Sequence, residues 1–458
     1  MASLSPFLIS PNTVLSILGL IHGKDKTVPN PADDYHNATV NVVIPALNEE
    51  ANIALCLASV ARQTKRPEKI ILVDDGSTDH TVEYAQEFCQ TNGMEVQIIH
   101  RKSPIGKTPT LKRQAREFVS DVEFILDGDT VLESNNYIER MVEELYKGKG
   151  IASACGTILP LRDRDRHRQL QGPRLQKFLE SYPDAPVYPK VNWEHHIQQG
   201  LTNLYREVLY MLLQRFIYRG QMAFFGSILN PVGCAVAYRR TYLENLFSKY
   251  EPILGDDLTN SEDIFIGFAM LDQGFRNIQL DDVIARSQEP EALRLPRQLY
   301  MWSSSFLQTC YYFDELMLSP FKVFKRYRKE QSVAQDVLDK RKIKEQYRQP
   351  FGDVYTREYG RPIGWVMFMS ALEKVSFPTA LLIFMLLGMW QVLGITLIAE
   401  SLVAWTALTI VAKGYRLEFL LKGIVLTPVR YVVIVFDFFT MLRFAFDIWI
   451  SKNMRWRK

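Results

Sequence analysis

The chain has 458 residues, too many for one small module at roughly 100–200 residues per domain. Its 54 Lys and Arg against 51 Asp and Glu leave a formal charge of +3, which excludes a nucleic-acid coat and an acidic disordered chain. Hydrophobic residues make up 47% of the sequence and crowd toward the C-terminus, so a soluble body is joined to a membrane-seeking tail.

Residues 6–21 are uncharged, but they are interrupted by Pro11 and fall short of the roughly 20 residues needed to cross a bilayer. They read as an interfacial segment within an N-terminal region 1–37, without the basic start of a secretory signal. From Val40 short β-branched runs alternate with helical stretches. Strands are predicted at 40–44, 69–73, 95–100, 123–126 and 151–157. Helices are predicted from an Asn48 cap to about 63, from an Asp79 cap to about 91, and over 109–118 and 135–147. Repeated β-α units imply an α/β fold with a parallel sheet and helices on both faces. Ligands in such sheets bind at the carboxyl ends of strands, here the loops after Ile44, Val73 and Leu126.

An insertion at about 160–230 breaks the pattern. Residues 162–168 alternate charges and read as solvated surface. Residues 205–225 read as an aromatic, Arg-bearing helix, packed on the main domain or lying under a membrane lid. Residues 306–363 read as interfacial or linker helices, and 319–360 carry many Lys and Arg. Residues 364–458 read as a transmembrane helical region. Within it, 377–412 has one charge, Glu400, and fits two spans, the first starting near Gly364. Residues 424–450 are a third apolar stretch, but Arg430, Asp437, Arg443 and Asp447 in it must face protein, water or headgroups. Basic stretches before 364, at 413–422 and at 452–458 all read as cytoplasmic. Two spans satisfy that rule, so the third stretch lies in the interface, folds back, or is an exception. The five cysteines, Cys56, Cys89, Cys155, Cys234 and Cys310, are scattered and odd in number, which points to a reducing compartment rather than a disulfide framework or zinc site.

The candidate chemistry sits at strand ends. Asp127-Gly128-Asp129 follows a strand, and two carboxylates one residue apart can share a hard cation such as Mg²⁺ or Mn²⁺, although surface turns also produce this string. Asp74-Asp75-Gly76-Ser77 is either a turn with a helix cap or a carboxylate pair facing a base or ribose. Ser261-Glu262-Asp263 is either an acidic helix start or a general base placed there. Gln298 follows Asp263 by 35 residues and precedes Trp302. The dinucleotide fingerprint is absent after Ile44. A P-loop suggested by Gly106-Lys107-Thr108 lacks its first glycine, since Arg101 stands there. Asp127-Gly128-Asp129-Thr130-Val131 also fits the haloacid-dehalogenase phosphatase string, but follows the fourth strand rather than the first.

In order along the chain, Val43 to Glu50, Val73 to Ser77, Asp127 to Asp129, Ser261 to Asp263 and Gln298 with Trp302 resemble the motifs of the family 2 glycosyltransferases. The likeness is strongest to the membrane-bound, often processive β-glycan synthases, the group of cellulose, chitin and hyaluronan synthases. The resemblance covers about residues 38–305 and implies a GT-A nucleotide-sugar-binding, Rossmann-like domain there. It implies a metal-dependent inverting hexosyl- or N-acetylhexosaminyltransferase working at the cytoplasmic face of the cell membrane. The donor would be a UDP-sugar and the acceptor a growing glycan, with accessory export proteins among the partners. The alternative is one sugar added to a lipid-linked acceptor.

By the same resemblance Asp74 and Asp75 contact the uracil or ribose, and Asp127 and Asp129 hold Mg²⁺ or Mn²⁺ on the diphosphate. Lys107 faces nucleotide or phosphate, and Gly233 lies beside the donor sugar. Asp263 is the base, with Glu262 beside it, and Gln298 and Trp302 line the acceptor end. The chain departs from the family at Met301, where an arginine is usual, and Arg294, Arg297 or Lys107 would have to compensate.

Overall fold

The computed structural model describes residues 11–22, 33–148, 150–189, 193–254, 261–329 and 351–451. The basic stretch at 330–350, the tail at 452–458 and the first part of the N-terminal segment therefore lie outside the described residues.

Eight strands form one sheet in the order β3-β2-β1-β4-β7-β6-β8-β5. They are β1 (Val40–Ala46), β2 (Lys69–Asp74), β3 (Gln97–His100), β4 (Val122–Leu126), β5 (Thr130–Leu132), β6 (Ile151–Pro160), β7 (Ala235–Arg239) and β8 (Arg276–Ser287). The first four strands in space are parallel, as the β-α pattern predicts. The sheet as a whole is mixed, which corrects the all-parallel expectation. β7 runs antiparallel to both β4 and β6, and β5 runs antiparallel to β8.

The two faces of the sheet bury different sets of residues, because successive side chains on a strand point to opposite sides. Val42, Ile44, Leu72, Phe124 and Leu126 share one core with α2 (Ile53–Ala61), α3 (Thr81–Thr91) and α5 (Tyr137–Leu145). Val43, Ile71, Val73 and Ile125 share the other with α4 (Lys107–Glu117), α10 (Arg240–Leu254) and α11 (Glu262–Asp272). Fully burying an aliphatic or Phe side chain is worth about 1.5–3 kcal/mol, so both faces hold the sheet.

Helix α2 starts at Ile53, not at Asn48. Asn48 has φ 58, and its side-chain oxygen accepts a hydrogen bond from the Thr78 N–H (2.9 Å), so it forms the turn after β1. The 162–168 stretch is also corrected. It is helix α6 (Asp163–Leu170), and its Asp165 and Arg166 are buried. Arg166 donates to Ala51 O (2.9 Å), Val187 O (3.0 Å) and Gln288 Oε1 (2.8 Å), so the alternating charges are partly internal wiring.

After α7 (Pro173–Ser181), helix α8 (Trp193–Leu212) runs through a π-turn at Leu213–Ile217 into α9 (Tyr218–Phe225). The 205–225 stretch packs on the main domain and against the C-terminal apolar helices. Gln214 exchanges hydrogen bonds with the Ile158 backbone of β6, while Tyr205, Val208, Leu209 and Leu212 line a small cavity with Ala404, Leu408 and Leu426. Helix α1 (Pro11–His22) packs on α9, where Gly19 and Gly220 meet without room for a Cβ on either.

Among the described residues, three helices are long and apolar enough to cross a membrane: Gly364–Leu386, Trp390–Val411 and Arg416–Asp447. The last belongs to one continuous helix, Arg416–Trp449. Two of its charges, Arg430 and Asp437, face protein, whereas Arg443 is exposed. Arg430 pairs with both carboxylate oxygens of Glu400, and the Asp437 carboxylate accepts from Lys374 Nζ (2.9 Å) and Ser303 Oγ (2.6 Å). Pairing on this pattern removes the several-kcal/mol cost of a lone charge in hydrocarbon.

Candidate active site

Helix α12 (Leu295–Tyr312) carries Gln298, Trp302 and Ser303, and Ser303 joins it to the membrane helices through Asp437. The remaining candidates gather at the carboxyl ends of β1, β2 and β4. The antiparallel direction of β7 matters here. Ala235 pairs with Leu126, so the residues entering β7 lie beside those leaving β4, and Asp127 N–H donates to Cys234 O (2.9 Å). No reading of local periodicity could bring Gly233 to Asp127.

Asp74 is fully buried and engaged on both oxygens. Oδ1 accepts from the Ser77 N–H (3.0 Å) and Oδ2 meets His100 Nδ1 (2.5 Å). Asp75 organises the loop after β3: it accepts from Arg101 Nη1 (3.0 Å), Ile105 N–H (2.9 Å) and Gly106 N–H (2.8 Å). That loop delivers Lys107 as the first residue of α4.

The Lys107 ammonium sits 2.6 Å from Asp127 Oδ1 and 3.0 Å from Glu262 Oε1, and donates to Gly233 O (3.0 Å). Burial opposes its charge, but Asp127 and Glu262 outweigh burial and hold its pKa well above the usual lysine value. Thus Lys107 bridges the β4 carboxylates to the start of α11.

Lys107 only partly offsets the charge of Asp127 and Asp129. Burial pushes Asp127 up to about 6, with Lys107 opposing and Asp129 adding to the rise. Burial also raises Asp129, although it accepts from Thr130 Oγ1 (3.1 Å) and Ser287 Oγ (3.4 Å). Glu49, which sequence reasoning left without a role, is pushed up to about 8 by burial and by Asp129. Asp127 and Asp129, one residue apart at a strand end with the Glu49 charge nearby, form an oxygen-only surface suited to a hard divalent cation. Among the described residues no three candidate ligand groups already converge on one ion position. Asp127 and Asp129 therefore fit a metal that takes its other ligands from a phosphate-bearing substrate.

Asp263 begins α11. Its Oδ1 accepts from Ser261 Oγ (2.5 Å) and the Ile264 N–H (2.8 Å), and its Oδ2 accepts from the Gly233 N–H (3.2 Å). Burial and the neighbouring Glu262 raise its pKa, while Ser261 and Lys107 oppose the rise. A carboxylate moved upward from its ordinary value is a better proton acceptor near neutrality. Helix α12 packs beside this point, with Ser305 Oγ donating to Ser261 O (3.4 Å), which brings the Gln298 and Trp302 helix to the start of α11.

Two further residues beside Gln298 and Trp302, Arg206 and Glu289, were missed from sequence. Arg206 of α8 is completely buried. It donates to Gln298 Oε1, pairs with Glu289 (Nε to Oε2, 3.2 Å) and lies 4.2 Å from the Trp302 ring centroid. Glu289 follows Gln288, whose N–H donates to Asp129 O (3.2 Å). The only sequence signal was an arginine amid the aromatics of an apparently amphipathic helix. Arg294 and Arg297, the substitutes considered for the missing arginine at 301, are exposed.

Residues 41–247 match the family model described as Glycosyl transferase family 2. An N-acetylglucosaminyltransferase of Bradyrhizobium diazoefficiens is 25% identical over 276 residues, 59% of this chain and 49% of that protein. One of Azorhizobium caulinodans is 25% identical over 271 residues, 58% of this chain and 59% of that protein. The chain thus spans about half the length of the curated relatives it matches. A mannosyltransferase structure from Pyrobaculum calidifontis, in complex with GDP-Man and Mn²⁺, aligns over 96% of this chain and 94% of that one, with TM-score 0.50 and 13% identity. That likeness shows the fold: a GT-A, Rossmann-like domain followed by apolar helices.

Proposed function

We propose that this chain, whose residues 41–247 match the glycosyl transferase family 2 model, moves one sugar from a UDP-sugar to a lipid-linked acceptor with inversion of the anomeric centre. The observation that carries this reading is the convergence of Asp127, Asp129, Lys107, Gly233, Glu262 and Asp263 at one end of the sheet. Single transfer replaces the polymerising synthase expected from the motif resemblance. The relatives are named as an N-acetylglucosaminyltransferase and a mannosyltransferase, and Met301 breaks the acceptor motif of the synthases.

In this reading Asp75 and the 101–106 loop it builds line the nucleotide end, with Asp74 holding the turn beneath. Asp127 and Asp129 would hold Mg²⁺ or Mn²⁺, which when bound neutralises charge developing on the diphosphate. Lys107 adds its ammonium on the same side. Asp263 takes the proton of the acceptor hydroxyl as its oxygen bonds to the anomeric carbon and the sugar–phosphate bond breaks on the opposite face. No group in the motif set is needed as a covalent nucleophile. Trp302 and Gln298 receive the acceptor, and α12, tied through Ser303 to Asp437, holds that end against the membrane helices. The basic residues of the 413–422 loop support a catalytic domain on the cytoplasmic face.

The test is to incubate membranes containing the protein with a panel of UDP- and GDP-sugars and a lipid extract. We expect nucleoside diphosphate release together with a lipid-extractable sugar product. Release of inorganic phosphate in place of nucleotide, or no turnover of any donor, would refute the reading.

A further inference from the structure

On the transferase reading above, we propose that Arg206 is the positioning residue of the acceptor platform, fixing the indole of Trp302 and the amide of Gln298 from helix α8. Its guanidinium is wholly buried, and burying a charge costs several kcal/mol unless its bonds repay it. Those bonds end on groups of the site. Nη2 donates to Gln298 Oε1, the guanidinium lies 4.2 Å from the Trp302 centroid, and Nε pairs with Glu289 at 3.2 Å. Glu289 is itself held by Tyr210 Oη (2.9 Å). Such a flat cation stacks on an aromatic face and donates in a fixed fork, which an ammonium cannot imitate.

The consequences for the site are geometric. Gln298 accepts from Arg206 through Oε1, so its Nε2–H donors point away from the guanidinium. Trp302 is only partly buried and carries the cation on one face, so the opposite face is the one offered to a sugar ring. The 288–289 segment ties the same guanidinium to the backbone at Asp129, through the Gln288 N–H bond to the Asp129 carbonyl. Position 301 holds an uncharged methionine, and the cation next to Trp302 comes instead from another helix. Arg206 thus sets the distance between the acceptor platform and the Asp127 and Asp129 end.

The test uses the full chain in lipid nanodiscs and a double-mutant cycle of R206M and W302A. Because Arg206 acts through Trp302, R206M should lower transfer by about 100-fold in the native background, as misplacement of about 1 Å can. It should lower transfer less than about threefold when Trp302 is already alanine, since coupled residues are not additive. Calorimetric affinity for UDP with Mn²⁺ should change less than about threefold in each variant. R206K should lie between, with the loss in acceptor KM rather than in UDP binding. Additive losses in R206M and W302A, or full transfer by R206M, would overturn the proposal. If R206M does not fold, R206K with W302A carries the same cycle. If the native chain turns over no UDP- or GDP-sugar, the transferase reading falls instead. The Arg206–Trp302 pair is then decided by the same cycle in thermal unfolding, where absence of coupling would overturn it.

Discussion

Replacing Gly233 by alanine adds one methyl group between the entry to β7 and the start of α11. Gly233 is not among the glycines with positive φ, so its backbone accepts alanine without strain. The space does not. An ideal Cβ there would lie 2.8 Å from Asp263 Cβ and 3.1 Å from both Asp263 Cγ and Oδ2. Real Cβ atoms essentially never approach below 3.0 Å, so the Asp263 side chain must move and its bond from the Gly233 N–H is lost. A displacement of about 1 Å at a reacting group costs about 10²-fold. Loss of general-base help altogether costs about 10²–10⁴-fold. We expect G233A to lower transfer by about 10²-fold or more, while UDP affinity, measured by calorimetry with Mn²⁺, changes only a few-fold. Size-exclusion chromatography in detergent checks that the variant folds. Transfer at the native rate in a folded G233A protein would mean that the Asp263 position is irrelevant to the chemistry.

The remaining expectations follow from the same geometry. D263N keeps the shape and, through its remaining oxygen, the bonds from Ser261 and the Ile264 N–H, but its NH2 cannot accept from the Gly233 N–H and the basicity is gone, so transfer should fall about 10²–10⁴-fold with UDP affinity within a few-fold. Native-like transfer would make Asp263 a helix cap and turn attention to Glu262. EDTA should abolish nucleotide release and Mn²⁺ or Mg²⁺ should restore it, whereas full activity of D129A in the presence of chelator would remove the metal from the reaction. Glu123 is buried within β4, which raises its folded-state pKa to about 8 against the pull of Arg240. The native state therefore binds the extra proton between about pH 4.5 and 8, and stability should fall as pH rises through that window. In E123Q the thermal midpoint should lose this part of its pH dependence, and an unchanged slope would refute the assignment.

The strands that hold the site were legible because their apolar runs are short, β-branched and bounded by turn residues. β1, β2 and β4 start and stop within about two residues of expectation, a usual error at element ends. β7 and β8 were not legible as sheet members. The run Ala235–Arg239 is brief, Arg276–Ser287 mixes charged and apolar residues, and strand direction is a property of the whole topology rather than of a local pattern. Asn48 looked like a helix cap because the residue types that cap helices also adopt positive φ in turns. Arg166 looked like a surface charge and Arg206 was given no role, because nothing in sequence shows that internal carbonyl, carboxylate and indole partners await them. The Asp127 and Asp129 pair was legible from its strand-end position, but the charge Glu49 adds nearby was not, since it approaches from the turn after β1.

The length of the product tests the proposed activity most directly. Lipids extracted after incubating the full chain in membranes with its active UDP-sugar, and resolved by mass spectrometry, should show acceptor enlarged by a single sugar. Nucleoside diphosphate should be released in equal amount, and the new bond should be β from an α-linked donor. A ladder of products differing by one sugar would contradict single transfer and return the chain to the polymerising synthases. An α-linked product would contradict the single displacement assigned to Asp263.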